Sequence, residues 1–222
     1  MLYIIETYGA MLLRSLGQTI LLTLLSLVFA MIIGLIFALM NVGRNRIFNF
    51  IGTLYVDAVR GVPLIVLAYF IYFGIPAGIK SMGVQDFRLT ALQAGTIALA
   101  MNCGAYMAEI IRAGIESVDK GQMEASRSLG LSYGKSMRLV VLPQAIRTMI
   151  PSIINQFIIT LKDTSILSVI AFPELTNTGK TIAGNTFKVL ETWTIVGLMY
   201  MIVIITLSKI AKRIERRANR GR

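Results

Sequence analysis

Seven polar side chains stand in otherwise apolar sequence at spacings that could form a binding surface. Asn102, Tyr106 and Glu109 are spaced i, i+4, i+7, and Gln156, Thr160 and Asp163 repeat that spacing. Residues three and four apart share one face of an α-helix, so each trio predicts a polar stripe on a helix. Tyr69, close to Tyr72, adds a hydroxyl on a third apolar stretch. Amides and hydroxyls both donate and accept hydrogen bonds, and a carboxylate attracts an ammonium or a guanidinium. The chemistry is reversible recognition of a small polar solute rather than covalent catalysis. The chain has no His, which excludes Ser-His and Cys-His nucleophile pairs and histidine metal sites. The lone Cys103 forms no internal disulfide. Two near-matches to a phosphate-binding loop fail at the required first glycine, where Leu129 and Glu174 stand. No metal and no cofactor are expected in this chain.

The elements that must hold these residues are membrane helices. Of 222 residues, 55% are hydrophobic and only 15% charged, against about 25% charged in an ordinary soluble domain. The mean hydropathy is +0.72. A helix crossing about 30 Å of hydrocarbon needs about 20 apolar residues. Five stretches fit, at 15–43, 61–79, 89–108, 148–173 and 192–208. They do not alternate as barrel strands do, and backbone groups in lipid must bond within helices or closed barrels. The expected fold is an all-α membrane protein of five transmembrane helices, forming one domain over residues 1–222. Residues 1–14 lack the positive start of a signal peptide and read as an interfacial helix or an extension of the first span.

Charge sets the expected orientation. The net charge is +11, which by itself could suggest nucleic acid. With five spans, sixteen of the basic residues fall on the side of the C-terminus and five on the other, with Lys162 inside the membrane. Arg44, Arg46, Arg60 and the run from Lys209 to Arg222 belong to the larger group. Basic loops stay in the cytoplasm, so the N-terminus is expected outside and the C-terminus in the cytoplasm. Topology and anionic lipid account for the charge, and no nucleic-acid partner is expected.

On this geometry Asn102, Gln156 and Thr160 lie nearest the midplane, and Glu109 nears the inner boundary. Polar groups there are costly and mark sites. Each also has a structural reading. Asp163 either meets a solute or pairs with Lys, Arg or backbone to hold the bundle. Glu109 either meets a solute or bridges to Arg112 at i+3. Asn102 either meets a solute or bonds a neighbouring helix. Gly61 and Pro63, at the inner end of span two, read as helix-start or hinge features rather than ligands. Two carboxylates, Asp163 and Glu109, favour a cationic, arginine- or lysine-like solute. Histidine-like solutes belong to the same class.

The largest segment outside the spans is residues 113–147, expected in the cytoplasm. Met123, Ser126 and Gly130 follow helical spacing, and Gly130 suits a left-handed helix end. A second amphipathic stretch from Lys135 to Leu142 is expected to stop at Pro143. The result is a helix–turn–helix without a catalytic constellation, which is either a solvated connector or a rigid knob for a partner.

Within it, Glu124-Ala125-Ser126, then Gly130, Val140 and Leu142-Pro143, resembles the EAA loop of ATP-binding-cassette importer permeases. Asp57-Ala-Val-Arg60-Gly61-Val62-Pro63-Leu64, Ala105 to Gly114, and Leu161-Lys162-Asp163-Thr164-Ser165-Ile166-Leu167 look like the polar amino-acid subfamily. The resemblance covers about residues 10–215. Ser126 for Ala and Val140 for Ile are its departures, both small.

The resemblance implies a type I importer fold in a prokaryotic plasma (inner) membrane. It implies a second permease subunit, identical or not, and a cytoplasmic ATPase dimer that binds ATP and Mg. It also implies an extracytoplasmic binding protein that delivers an amino acid. Glu124, Ala125, Ser126, Arg127, Gly130, Leu142 and Pro143 would form the coupling surface for the ATPase. The competing readings are an ion-coupled amino-acid carrier or channel, with Asp163 and Glu109 as relay, and a membrane-anchored scaffold.

Overall fold

A computed structural model describes residues 1–43 and 45–219, so Arg44 and residues 220–222 lie outside the described residues. Helix α1 (Leu2–Val42) is one uninterrupted rod, so the first 14 residues extend the first span. Three of its buried hydroxyls are satisfied along the helix, while that of Ser26 has no partner among the described residues. Ser15, Thr19 and Thr23 donate to the carbonyls of Leu12, Ser15 and Thr19 at 2.7–3.0 Å.

The second crossing differs from expectation. Helix α2 (Arg46–Gly61) starts on an Asn45 cap, whose side chain accepts from Ile47 and Phe48. It runs beside the C-terminal half of α5 (Ala91–Glu116), where Val56 packs with Ala108 and Ile111. The chain then breaks at Val62-Pro63. It restarts as α3 (Leu64–Tyr69), which passes through a π turn at Phe70–Gly74 into α4 (Ile75–Ser81). This half packs on the N-terminal half of α5, with Leu64, Leu67, Ala68 and Ile71 against Ala94, Ala98 and Leu99. The break therefore falls level with the middle of α5, not at the end of a span.

α1 and α5 cross in backbone contact. A Cβ on Gly34 would sit 2.5 Å from the Met107 Cβ and 3.1 Å from the Gly104 carbonyl. Small residues permit such close crossings in membranes.

Beyond α5 come α6 (Lys120–Ser128) and α7 (Tyr133–Ser136), then a π turn at Met137–Val141 and α8 (Leu142–Asp163). Pro143 does not stop this helix, as the sequence suggested. It stands in the first turn of α8, just past the π turn. The wider turn gives the ring room that an α-helical carbonyl four residues back would deny it. α8 tightens to a 3-10 turn at Thr164–Ile170, and Ala171 closes it at φ 57°. The short α9 (Leu175–Thr186) and the long α10 (Val189–Asn219) complete the bundle. Glu174, fully buried, caps α9 by accepting from the backbone N–H of Thr176 and Asn177 and from the Tyr200 hydroxyl. Burial pushes the Glu174 carboxyl up by more than these bonds pull it down. Five helices are long and apolar enough to cross a membrane, and no strand occurs among the described residues.

Candidate functional site

The break in the second crossing opens a cavity of about 500 Å³. One wall is Arg60, Gly61, Val62 and Pro63. The facing walls are Asn102 and Tyr106 of α5, and Gln156, Ile159 and Asp163 of α8. Pro63 caps α3, and the first intrahelical bonds run from the Val66 and Leu67 N–H groups to the Pro63 carbonyl. The N–H groups of Leu64 and Ile65 are therefore left without helical partners, and the positive end of the helix points toward the cavity.

Four of the seven sequence-derived residues meet here: Asn102, Tyr106, Gln156 and Asp163. Asn102 and Gln156 are nearly buried, while Asp163 is half-buried where α8 tightens. Asp163 makes no hydrogen bond or ion pair among the described residues, and its neighbour Lys162 is exposed. The Arg60 guanidinium lies 5.1 Å from the centre of the Tyr106 ring. One cavity thus carries a guanidinium and a helix start on one wall and a carboxylate on another.

The other three lie elsewhere. Glu109 lines a different cavity and is held by Arg112, with Nη2 to Oε1 at 2.6 Å and Nε to Oε2 at 3.1 Å. Seven residues past Asn102 it is displaced about 10 Å along the helix. Thr160 is buried, and its hydroxyl donates to the Gln156 carbonyl at 2.9 Å. Tyr69 is exposed and packs against Phe73 outside the cavity. Sequence reasoning missed Arg60 and read Gly61 and Pro63 as helix-start or hinge features at the end of a span, where the structure has a break within one crossing. The available signal was a Gly/Pro interruption in an otherwise long helical crossing, which marks discontinuous membrane helices.

At one end of the bundle α6 presents a compact knob. Asp119 caps it, and Gly130 ends it at φ 86°. Glu124, Ala125 and Arg127 face outward, and Leu129 is 85% exposed. Ser126 is buried, its hydroxyl donating to the Met123 carbonyl. Met123, Met137 and Leu142 pack on a cluster that includes Ile111 and Ile115, so the knob is fixed to α5 and to the start of α8. Pro143 is exposed beside it.

Comparison with known proteins shows the family. Residues 30–220 match the family described as binding-protein-dependent transport system inner membrane component. The glutamine transport system permease protein of Escherichia coli K12 is 37% identical over 93% of this chain and 92% of its own. The arginine transport system permease protein of Bacillus subtilis 168 is 34% identical over 92% and 91%. A crystal structure of an amino acid ABC transporter with histidines superposes with a TM-score of 0.88 at 37% identity, covering 96% of both chains. The chain belongs to the binding-protein-dependent inner membrane transport components, as a permease subunit of an amino-acid ATP-binding-cassette transporter.

Proposed function

We propose that the chain is the translocating subunit of an ATP-driven importer and binds a zwitterionic polar amino acid between the helix break and Asp163. The observation that carries this is the opposed charge across a single cavity: Arg60 and the start of α3 on one side, Asp163 on the other. An α-amino acid presents one carboxylate and one ammonium. The helix start suits the carboxylate, Asp163 suits the ammonium, and Asn102 and Gln156 suit a polar side chain. The cationic preference loses one of its two supports, because Glu109 lies in another cavity and is spent on Arg112. One carboxylate neutralises one ammonium, so a neutral polar side chain fits better than a second cation. The same pairing takes Glu109 out of an ion relay.

The α6 knob docks a cytoplasmic ATPase that binds ATP and Mg. A second permease subunit completes the pathway, and an extracytoplasmic binding protein supplies cargo. The N-terminus is outside and the C-terminus in the cytoplasm. The knob's rigid packing supports its docking role, because packed elements switch between discrete arrangements rather than deform smoothly.

The test is uptake by proteoliposomes carrying this chain and its ATPase, offered a panel of labelled amino acids. A neutral polar amino acid is expected to be imported only with ATP. Asp163→Asn removes a charged hydrogen-bond partner, a loss of about 1.5–3 kcal/mol or about 10- to 150-fold in affinity. Unchanged uptake and unchanged selectivity in that variant refute the contact. Uptake without ATP refutes the importer.

A further inference from the structure

A second cavity, of about 390 Å³, lies between α1, α2 and α5, nearer the α6 end of the bundle. Arg60 lines both cavities. The second is strongly charged, with Asp57 and Arg60 from α2 and Glu109, Arg112 and Glu116 from α5. Arg112 is fully committed, to Glu109 through two bonds and to Glu116 through a third. Asp57 and Arg60 form no ion pair and no hydrogen bond among the described residues. The cavity therefore holds an unmatched carboxylate, and Arg60 rests on an aromatic face with the Glu109 carboxylate in electrostatic range but not bonded to it.

Asp57 and Arg60 are three residues apart on α2 and so are neighbours on its surface. Asp57 therefore lies within reach of the long Arg60 side chain, and Glu109 lines the same cavity. A contact with an aromatic face and an exposed ion pair are both weak and similar in strength, so neither position is strongly held. Arg60 also sits at the end of its helix, next to Gly61, around which there is open space.

We propose that Arg60 is the gate between the substrate cavity and a second, exit site for the same zwitterion. Turned onto Tyr106 it stands between the two cavities. Turned onto Asp57 and Glu109 it joins them into one polar route from Asn102 and Asp163 to the α6 end. In the exit site Asp57 receives the ammonium of the leaving solute. The gate rests on the import reading above.

The test uses the assembled transporter in two arms. In the first, Ile159→Cys places a thiol on the substrate-cavity wall, and a membrane-impermeant cationic thiol reagent is added at the face that carries α6. Native Cys103 is buried and sets the background. Arg60→Met is expected to speed labelling at least tenfold, and Arg60→Lys by less than threefold. In the second arm, Asp57→Asn is expected to cut ATP-driven glutamine uptake at least fivefold. Glutamine Kd for the purified complex should stay within twofold. Labelling within twofold of the parent in Arg60→Met overturns the gate. So does Asp57→Asn with unchanged uptake, or with binding lost in parallel. A transporter that imports no amino acid overturns the import reading, and the labelling arm still decides the gate.

Discussion

The crossing of α1 and α5 yields a quantitative prediction from two glycines on one helix. Gly34 and Gly17 both lie in α1, so replacing either with Ala gains the same intrinsic helix preference, about 1 kcal/mol. Their surroundings differ. A Cβ at Gly17 meets nothing within 4 Å, whereas one at Gly34 would lie 2.5 Å from the Met107 Cβ and 3.2 Å from the Ala108 amide nitrogen. Carbon atoms rest about 3.5–4.0 Å apart, so α1 must move off α5 by about 1 Å. The obstructing atoms belong to the α5 backbone or adjoin it and cannot swing aside. Overpacking of this kind costs about 1–3 kcal/mol. Because the helix preference cancels between the two variants, Gly34→Ala should be less stable than Gly17→Ala by about that amount. For a chain of this size the difference corresponds to about 2–12 °C in melting temperature. The assay is heat-induced loss of the monodisperse transporter in detergent, with the two variants measured side by side. Equal melting temperatures, or a lower one for Gly17→Ala, would refute backbone contact at this crossing.

Tyr55 stacks on Phe37 at 3.8 Å between ring centres and donates from its hydroxyl to the Met101 carbonyl at 2.9 Å. Tyr55→Phe keeps the stack and loses the bond, an expected cost of about 0.5–1.5 kcal/mol in thermal stability. Melting curves of the two proteins, measured side by side, check it. Gly130→Val forces a branched residue into a φ of 86°. ATP hydrolysis should continue while uptake falls severalfold, and normal stoichiometry of hydrolysis to uptake would count against α6 as the coupling element. Glu174→Gln removes a buried carboxylate that accepts from two backbone N–H groups and the Tyr200 hydroxyl. The Glu174 carboxyl is raised, so the wild type should gain stability relative to this variant as pH falls toward the ordinary glutamate value of 4.5. An unchanging difference in melting temperature between the two would refute it.

Helical spacing placed Asn102 with Tyr106 and Gln156 with Asp163 on one face of each helix, and the cost of polar groups in lipid marked both faces as candidates; the fold brings the four to one cavity. Spacing left two readings for Glu109, and the bridge to Arg112 at i+3 is the one found. It failed for Thr160 because a buried threonine hydroxyl finds a carbonyl four residues back in its own helix. The five crossings were legible from hydropathy, since lipid leaves the backbone few alternatives. The break at Val62-Pro63 was not. Arg60 looked like the charged end of a span, and only the packing of α2 and α3 on opposite halves of α5 reveals that both belong to one crossing. Pro143 misled for a related reason, because a stop signal in an α-helix loses its force where the preceding turn is π-helical.

That continuity past Pro143 has a mechanical corollary. From Tyr133 to Ile170 the chain is one unbroken shaft, with the knob at its foot and Asp163 near its head. Leu142 and Asp163 are about 30 Å apart along it, so a tilt of about 5° pivoting near the foot swings the carboxylate sideways by about 3 Å. A hydrogen bond tolerates only a few tenths of an ångström. A modest push at one end of this lever is therefore enough to make or break a hydrogen bond to the Asp163 carboxylate at the other.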